Sequence, residues 1–272
     1  LRRQRQMCIR DRNRSITECY SVALPADRQG EVFHRYILGV YDLYDRLTTA
    51  FPQILFESCA SGGGRFDPGM LYYAPQGWIS DDTDAAERVR IQYGTSMCYP
   101  ISSMGSHVSV VPNHQLNRIT SLHTRANVAY FGTFGYELDL NKLTDEEIAE
   151  VKAQIIFMKE YRELIQFGNF YRLKSPFDGN ETVWMTVSED KRKALVFWYR
   201  ERNVVNAEFT RVRLQGLDPD LIYKNEYNGT ENYGDELMNL GLLTTDVTAG
   251  EPTNEDLPCT DYESRIYVLT AE

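Results

Sequence analysis

Strand-like and helical segments alternate along the first 168 residues of this chain, and only strand-like segments follow. The spacing of apolar residues and capping signals predict four helices, at residues 34–49, 85–99, 120–130 and 144–167. Short β-rich runs fall between them, at residues 54–56, 78–84, 108–111 and 130–136. Because such alternation is typical of parallel βα units, residues 13–168 are predicted to form part of a (β/α)8 TIM barrel.

The pattern changes after Gly168. Four β-rich runs are separated by turn signals such as Asp-Gly and Asn-Gly, at residues 182–187, 194–199, 207–214 and 265–269. Short strands joined by turns, with no helix between them, are typical of an antiparallel sheet. The sequence therefore predicts a second domain, an antiparallel β-sandwich, over residues 169–272.

The first fourteen residues differ from the rest, because they hold six arginines and one acidic residue. A basic arm of this kind can bind nucleic acid. Residues 1–12, which read LRRQRQMCIRDR, instead resemble translated sequencing-adapter read-through at the end of a gene fragment, and the chain begins at Leu1. We therefore predict that residues 1–12 are a non-native extension and that the remainder is the C-terminal part of a longer protein.

Charge and cysteine content narrow the range of partners. The net charge of -10 at pH 7 repels phosphate backbones and anionic lipids. No apolar stretch has the length of a membrane span. The five cysteines are odd in number and contain no Cys-x-x-Cys pair, which favours a reducing cytoplasm over a disulfide scaffold. We expect a cytoplasmic protein that binds neither nucleic acid nor membranes.

Candidate chemistry lies where predicted strands enter loops or helices. Asp81, Asp82 and Asp84 follow one such strand, and carboxylates at the carboxyl ends of barrel strands commonly act as acids, bases or nucleophiles. The alternative is that Asp82 or Asp84 caps the following helix. Both roles can be divided among the three residues.

A glycine-rich loop, Ser61-Gly62-Gly63-Gly64-Arg65, follows the strand-like run at 54–56. It lacks the further glycines and lysine of a nucleotide-binding loop, so it favours close approach of the backbone to a polyol. Cys59 beside it could be a nucleophile, but the sequence supplies no activating partner, so a packed thiol is the simpler interpretation. His107, His114 and His123 have no metal-site spacing, and we expect neither a metal nor a cofactor.

Taken together, four segments resemble the α-galactosidases of glycoside hydrolase family 36. They are residues 24–36 (LPADRQGEVFHRY), 56–67 (FESCASGGGRFD), 80–85 (SDDTDA) and 104–109 (MGSHVS). The resemblance implies an N-terminal β-supersandwich, a catalytic (β/α)8 barrel and a C-terminal β-sandwich. It also implies a cytoplasmic protein that is a homo-oligomer at full length.

The resemblance also implies roles for single residues. In the family's Ser-Asp-x-Thr-Asp motif the first carboxylate is the acid/base, here Asp81. Its Cys-x-x-Gly loop contacts galactose, here through Cys59 and Gly62. The nucleophile belongs to a Lys-Trp-Asp-x-Asn-Arg motif whose end matches Asp11, Asn13 and Arg14, although isoleucine and arginine stand where the lysine and tryptophan belong.

The sequence thus predicts a retaining α-galactosidase that acts on raffinose- and melibiose-type α-galactosides, with Asp81 and Asp11 as catalytic residues. Cys59, Gly62 and Asn13 are the predicted substrate-binding residues. The alternatives are a galactosyl transferase, an α-N-acetylgalactosaminidase or a catalytically inactive sugar-binding fragment. Because it would supply only about half of the barrel strands, this chain alone is predicted to be inactive.

Overall fold

The computed structural model describes residues 20–60, 62–204, 209–244 and 261–271. Asp11 and Asn13 therefore lie outside the described residues. The chain divides into two compact units. The first runs to Asp81 and includes Ser103–Gly105, and the second comprises Asp82–Ser102 and the chain from Ser106 onward.

From Tyr20 onward, the described part of the first unit contains two α-helices and two short parallel strands. Its elements are α1 (Val32–Ala50), β1 (Glu57–Ser58), α2 (Pro68–Tyr73) and β2 (Gln76–Gly77). Strands β1 and β2 pair in parallel, and Gly77 also forms a parallel bridge with Met104. The predicted strand at 54–56 is wrong, because pairing begins only at Glu57 and the side chains of Ile54 and Leu55 are exposed.

The second unit begins with alternating helices and strands. They are α3 (Ala85–Ser96), β3 (Gly105–Ser109), α4 (Leu122–Ala129), β4 (Thr133–Glu137) and α5 (Asp145–Phe167). The first residue of β3 belongs to the first unit, and β3 pairs with β4. Strand β3 starts three residues earlier than predicted and ends at Ser109, ahead of Pro112, which has no backbone N–H for a sheet.

The C-terminal part of the second unit is an antiparallel β domain. Its elements are β5 (Asn169–Lys174), β6 (Glu181–Val187), β7 (Lys193–Arg200), β8 (Arg211–Val212), β9 (Ile222–Asn225), β10 (Glu231–Tyr233), α6 (Gly234–Asn239), β11 (Leu242–Leu243) and β12 (Glu263–Ala271). Six strands form one sheet in the order β10-β9-β12-β7-β6-β5, while β8 pairs with β11. All of these pairings are antiparallel.

Both faces of the central strands β6 and β7 are buried. On one face Trp184 stacks on Phe197, with ring centroids 4.4 Å apart, and both contact Phe131. The other face packs in a cluster of aliphatic and aromatic side chains that includes Val183, Met185, Val196, Trp198, Leu214, Leu237 and Tyr267. Burial of both faces explains why these strands read as continuous apolar runs. Among the described residues, no helix is both long and apolar enough to cross a membrane.

Candidate active site

The glycine loop of the first unit turns back on itself directly after β1. The N–H of Gly64 donates to the carbonyl of Ala60 at 3.2 Å, and the N–H of Phe66 donates to the carbonyl of Gly63 at 3.1 Å. Gly62 has a φ of +77°, a conformation that residues with a side chain rarely adopt. The run of glycines therefore permits a tight turn at the end of a barrel strand.

The same loop lies against the segment that carries Asp81. A Cβ atom built on Gly62 would lie 2.8 Å from the backbone nitrogen of Asp81 and 2.8 Å from the Cα of Ser80. A Cβ on Gly63 would lie 2.8 Å from the carbonyl oxygen of Ile79. Only glycine allows two backbone segments to approach this closely, so the loop packs directly against the Ser80–Asp81 segment. The predicted strand at 78–84 is wrong, because β2 ends at Gly77 and these residues form no strand.

Arg65 closes the loop with two hydrogen bonds. One of its terminal nitrogens donates to the carbonyl oxygen of Cys59 at 2.6 Å, and the other donates to the hydroxyl of Tyr36 at 3.1 Å. Cys59 is half-buried and carries a thiol rather than a disulfide. Arg65 is thus turned back onto its own loop and onto α1.

The three aspartates divide their roles. Asp84 is 2% exposed and caps α3, accepting hydrogen bonds from the N–H groups of Ala86 and Glu87, and it forms an ion pair with Arg118. Asp82 accepts a hydrogen bond from the N–H of Asp84 at 2.9 Å. Asp81 is exposed, and its carboxylate has no hydrogen-bond or ion-pair partner among the residues that the structure describes. Capping by Asp84 leaves the carboxylate of Asp81 available for chemistry.

Replacing Asp84 with alanine should destabilise the protein by about 2–3 kcal/mol, because it removes a helix cap and the nearer of the two carboxylates that pair with the partly buried Arg118, leaving only Glu87 at 3.4 Å. The free energy of unfolding in urea measures this effect. Thr144→Ala is the control, since Thr144 caps α5 without an ion pair and its loss should cost only about 1 kcal/mol. An equal cost for the two variants would contradict a stabilising role for the Arg118 pair.

The second unit holds a group of ionisable residues whose proximity the sequence did not indicate. Arg88 is 3% exposed, and burial lowers its pKa to about 10, although the negative charges of Asp82 and Glu137 partly oppose this. A nitrogen of His107 lies 3.8 Å from a carboxylate oxygen of Glu137, and this interaction lowers the pKa of Glu137. Because Arg88, His107 and Glu137 lie far apart along the chain, no sequence pattern predicted that they interact.

The three histidines that the sequence analysis considered have different surroundings. His107 faces Glu137, whereas His123 lies 2.9 Å from the side-chain nitrogen of Asn127 and His114 is exposed. Over the described ranges, no group of three or more histidine, cysteine, aspartate or glutamate side chains could hold a metal ion.

A buried glutamine, also missed in the sequence, connects three elements of the second unit. The side-chain oxygen of Gln92 accepts from Arg88 and Ser106, and its nitrogen donates to the carbonyls of Val128 and Phe131. All of its hydrogen-bonding capacity is used. A polar residue inside a helical pattern was the only sequence signal for this network.

The structure therefore brings together three of the five predicted site residues, Cys59, Gly62 and Asp81, within the first unit. With its alternating strands and helices followed by an antiparallel sheet, the chain is part of a (β/α)8-barrel protein with a C-terminal β-sandwich domain. The family model described as Melibiase matches residues 6–168, and that of the glycosyl hydrolase family 36 C-terminal domain matches residues 181–269. The chain belongs to glycoside hydrolase family 36.

Individual relatives agree with this assignment. The chain is 56% identical to α-galactosidase AgaA of Geobacillus stearothermophilus over 85% of its own length and 32% of AgaA. It is 52% identical to α-galactosidase Mel36A of Lactobacillus acidophilus over the same shares. The crystal structure of AgaA matches with a TM-score of 0.86 over 94% of this chain and 34% of AgaA, as do structures of AgaA variants with raffinose and with stachyose. The chain thus spans about a third of the length of these relatives.

Proposed function

We propose that the whole protein carrying this sequence is a retaining α-galactosidase that removes terminal α-galactosyl residues from raffinose- and melibiose-type oligosaccharides. The single observation that carries the proposal is the contact between the glycine loop and the Asp81 segment. It joins a polyol-accommodating backbone to an exposed carboxylate, within a chain related to α-galactosidases. Crystal structures of variants of the relative AgaA hold raffinose and stachyose, which supports this substrate class.

In the proposed reaction two carboxylates act in two steps. Asp11 attacks the anomeric carbon of galactose while Asp81 gives its proton to the glycosidic oxygen, so the bond to the leaving sugar breaks. Asp81 then takes a proton from water as the water oxygen attacks the anomeric carbon and releases Asp11. Two displacements at one carbon return the sugar with its original anomeric configuration.

The assignment of Asp11 has support from residue spacing. One AgaA variant, in complex with raffinose, has an aspartate replaced by asparagine, and another, in complex with stachyose, has a different aspartate replaced by alanine. Those two aspartates stand the same number of positions apart as Asp11 and Asp81 do here. The Melibiase match also begins at residue 6 and so includes Asp11.

The remaining parts of the proposal are finer. Cys59, Gly62 and Asn13 contact the galactosyl group, with Cys59 and Gly62 acting from the loop beside Asp81. The whole protein is a cytoplasmic homo-oligomer. Residues 13–168 belong to the barrel and residues 169–272 form the sandwich domain. A non-native extension over residues 1–12 and a nucleophilic role for Asp11 exclude each other, and the Melibiase match from residue 6 favours Asp11.

Hydrolysis of aryl glycosides and raffinose by the whole protein tests the proposal. We expect turnover of an aryl α-galactoside, with nuclear magnetic resonance showing α-galactose as the first product. Preference for the aryl α-N-acetylgalactosaminide, or transfer of galactose to a sugar acceptor, would replace the proposal with one of those activities. Galactose binding without any turnover would indicate an inactive sugar-binding protein. The 272-residue chain assayed alone is expected to be inactive.

A structure of the whole protein tests Asp11 separately. We expect the carboxyl groups of Asp11 and Asp81 to lie about 5–5.5 Å apart, the separation that retaining glycosidases use. A separation above about 9 Å would remove Asp11 from the mechanism, because no attack on a sugar protonated by Asp81 could span it. DNA sequencing across residues 1–12 is the control, since it shows whether Asp11 is native.

A further inference from the structure

Three tyrosines of α1 reach different points of the segment that carries the glycine loop. The hydroxyl of Tyr36 accepts a hydrogen bond from Arg65, and the hydroxyl of Tyr41 donates to a carboxylate oxygen of Asp67 at 2.9 Å. Burial raises the pKa of Tyr44, while the nearby Arg65 and a hydrogen bond with Ser58 act in the opposite direction. Helix α1 therefore touches the segment before, within and after the loop.

Tyr41 and Tyr44 make further contacts that fix α1 against this segment. The carboxylate oxygen of Asp67 that Tyr41 binds also accepts the N–H of Met70 at 2.9 Å and so caps α2. Gly69 leaves the space in which the Tyr41 hydroxyl sits, since a Cβ there would overlap it. The ring of Tyr44 also packs against Phe56 and Tyr73. These contacts hold α1 in one place relative to both ends of the loop.

The Arg65 side chain bonds both to α1 and to the backbone at the start of the loop. Its bond to the carbonyl of Cys59 fixes the residue at the start of the loop, and its bond to Tyr36 fixes the guanidinium itself. Gly62, three residues after Cys59, lies against the backbone of Asp81. A displacement of Cys59 would therefore move Gly62 and, through it, the backbone of Ser80 and Asp81.

We infer that Arg65, held by Tyr36, is a positioning residue that sets the location of the Cys59 and Gly62 backbone groups beside Asp81. It acts through the loop rather than by touching the sugar. The effect on catalysis rests on the proposed function, whereas the effect on the loop does not.

Activity of Arg65 variants in the whole protein tests the catalytic part. Arg65→Ala should lower kcat/KM for an aryl α-galactoside about tenfold or more, and millimolar methylguanidinium should restore part of it with saturation. Arg65→Lys should fall between Arg65→Ala and the unchanged protein, because an ammonium can still donate to the Cys59 carbonyl. Arg46→Ala is the matched control, since Arg46 lies exposed on α1 and pairs only with Asp42 among the contacts described. It should keep full activity and show no response to methylguanidinium.

The reactivity of Cys59 tests the loop directly and does not need catalysis. Alkylation by iodoacetamide is followed by peptide mass spectrometry, with the exposed Cys98 as the reference thiol in the same chain. We expect the rate at Cys59 relative to Cys98 to rise about tenfold in Arg65→Ala, which corresponds to about 1.4 kcal/mol of lost protection. Arg46→Ala should leave the ratio unchanged.

The outcomes separate the two proposals. An unchanged alkylation ratio in Arg65→Ala would overturn the positioning role, whatever the activity. If the whole protein without substitutions is inactive but the alkylation ratio rises in Arg65→Ala, the proposed function is overturned and the loop contact is supported. If Arg65→Ala fails to fold, Tyr36→Phe, which removes a single hydroxyl, decides the matter: the ratio must rise for the inference to stand.

Discussion

Replacing Asp81 with alanine is expected to lower the turnover of raffinose by about 100- to 10,000-fold, the contribution usual for a general acid. The leaving group of raffinose is a sugar alkoxide, which departs slowly without a proton. Asp81 is the carboxylate among Asp81, Asp82 and Asp84 that no described residue engages, whereas Asp84 is occupied as a helix cap. Steady-state kinetics of the whole protein measures the change.

Two additional measurements make this result specific. An aryl galactoside with a good leaving group should retain much more activity in Asp81→Ala, and azide should restore turnover by taking the place of the activated water. Asp45→Ala serves as the control, because Asp45 is an exposed residue of α1 and its loss should leave turnover unchanged. Raffinose turnover within about threefold of the unchanged protein, well below the usual contribution of a general acid, would exclude Asp81 as the acid.

Gly62→Ala is expected to have the second largest effect, a loss of kcat/KM of about a hundredfold, the cost of misplacing a catalytic group by about 1 Å. The new Cβ would lie 2.8 Å from two backbone atoms, the nitrogen of Asp81 and the Cα of Ser80, and the φ of +77° is strained for alanine. Neither neighbour can rotate away as a side chain could. Either the loop or the Ser80–Asp81 segment must therefore move.

The stability of the same variant is informative as well. Strain and overlap together should lower the free energy of unfolding by about 1–3 kcal/mol. Gly94→Ala is the matched control, because Gly94 lies inside α3 with open space around it and alanine favours a helix by about 1 kcal/mol. Full activity of Gly62→Ala would show that the loop and the Asp81 segment are not in contact in the working enzyme.

Local interactions made several elements predictable. Thr144 and Glu147 form the predicted capping box at the start of α5, with both hydrogen bonds present. Asp84 caps α3, which is one of the two caps that the sequence allowed, Asp82 or Asp84. Helix ends are recognisable from sequence because a cap bonds to N–H groups only two or three residues away.

Short or irregular elements were not predictable in the same way. Strands β1 and β2 have two residues each, and α2 and α6 have six, too few for a periodic pattern to emerge. Strand β5, which starts at Asn169, alternates poorly because of its irregular register near Arg172 and Lys174. Pairing with a neighbouring strand, rather than local preference, defines such elements.

The sequence by itself determined the longer helices and strands, the change to an antiparallel sheet after Gly168 and the candidate residues Cys59, Gly62 and Asp81. These follow from periodicity, turn residues and motifs, all of which are local. Only the tertiary structure decided that Gly62 lies against Asp81, that Arg65 bonds to Cys59 and Tyr36, and that Asp84 rather than Asp81 is occupied. Contacts between residues far apart in the chain depend on how its elements pack, and no local pattern encodes that packing.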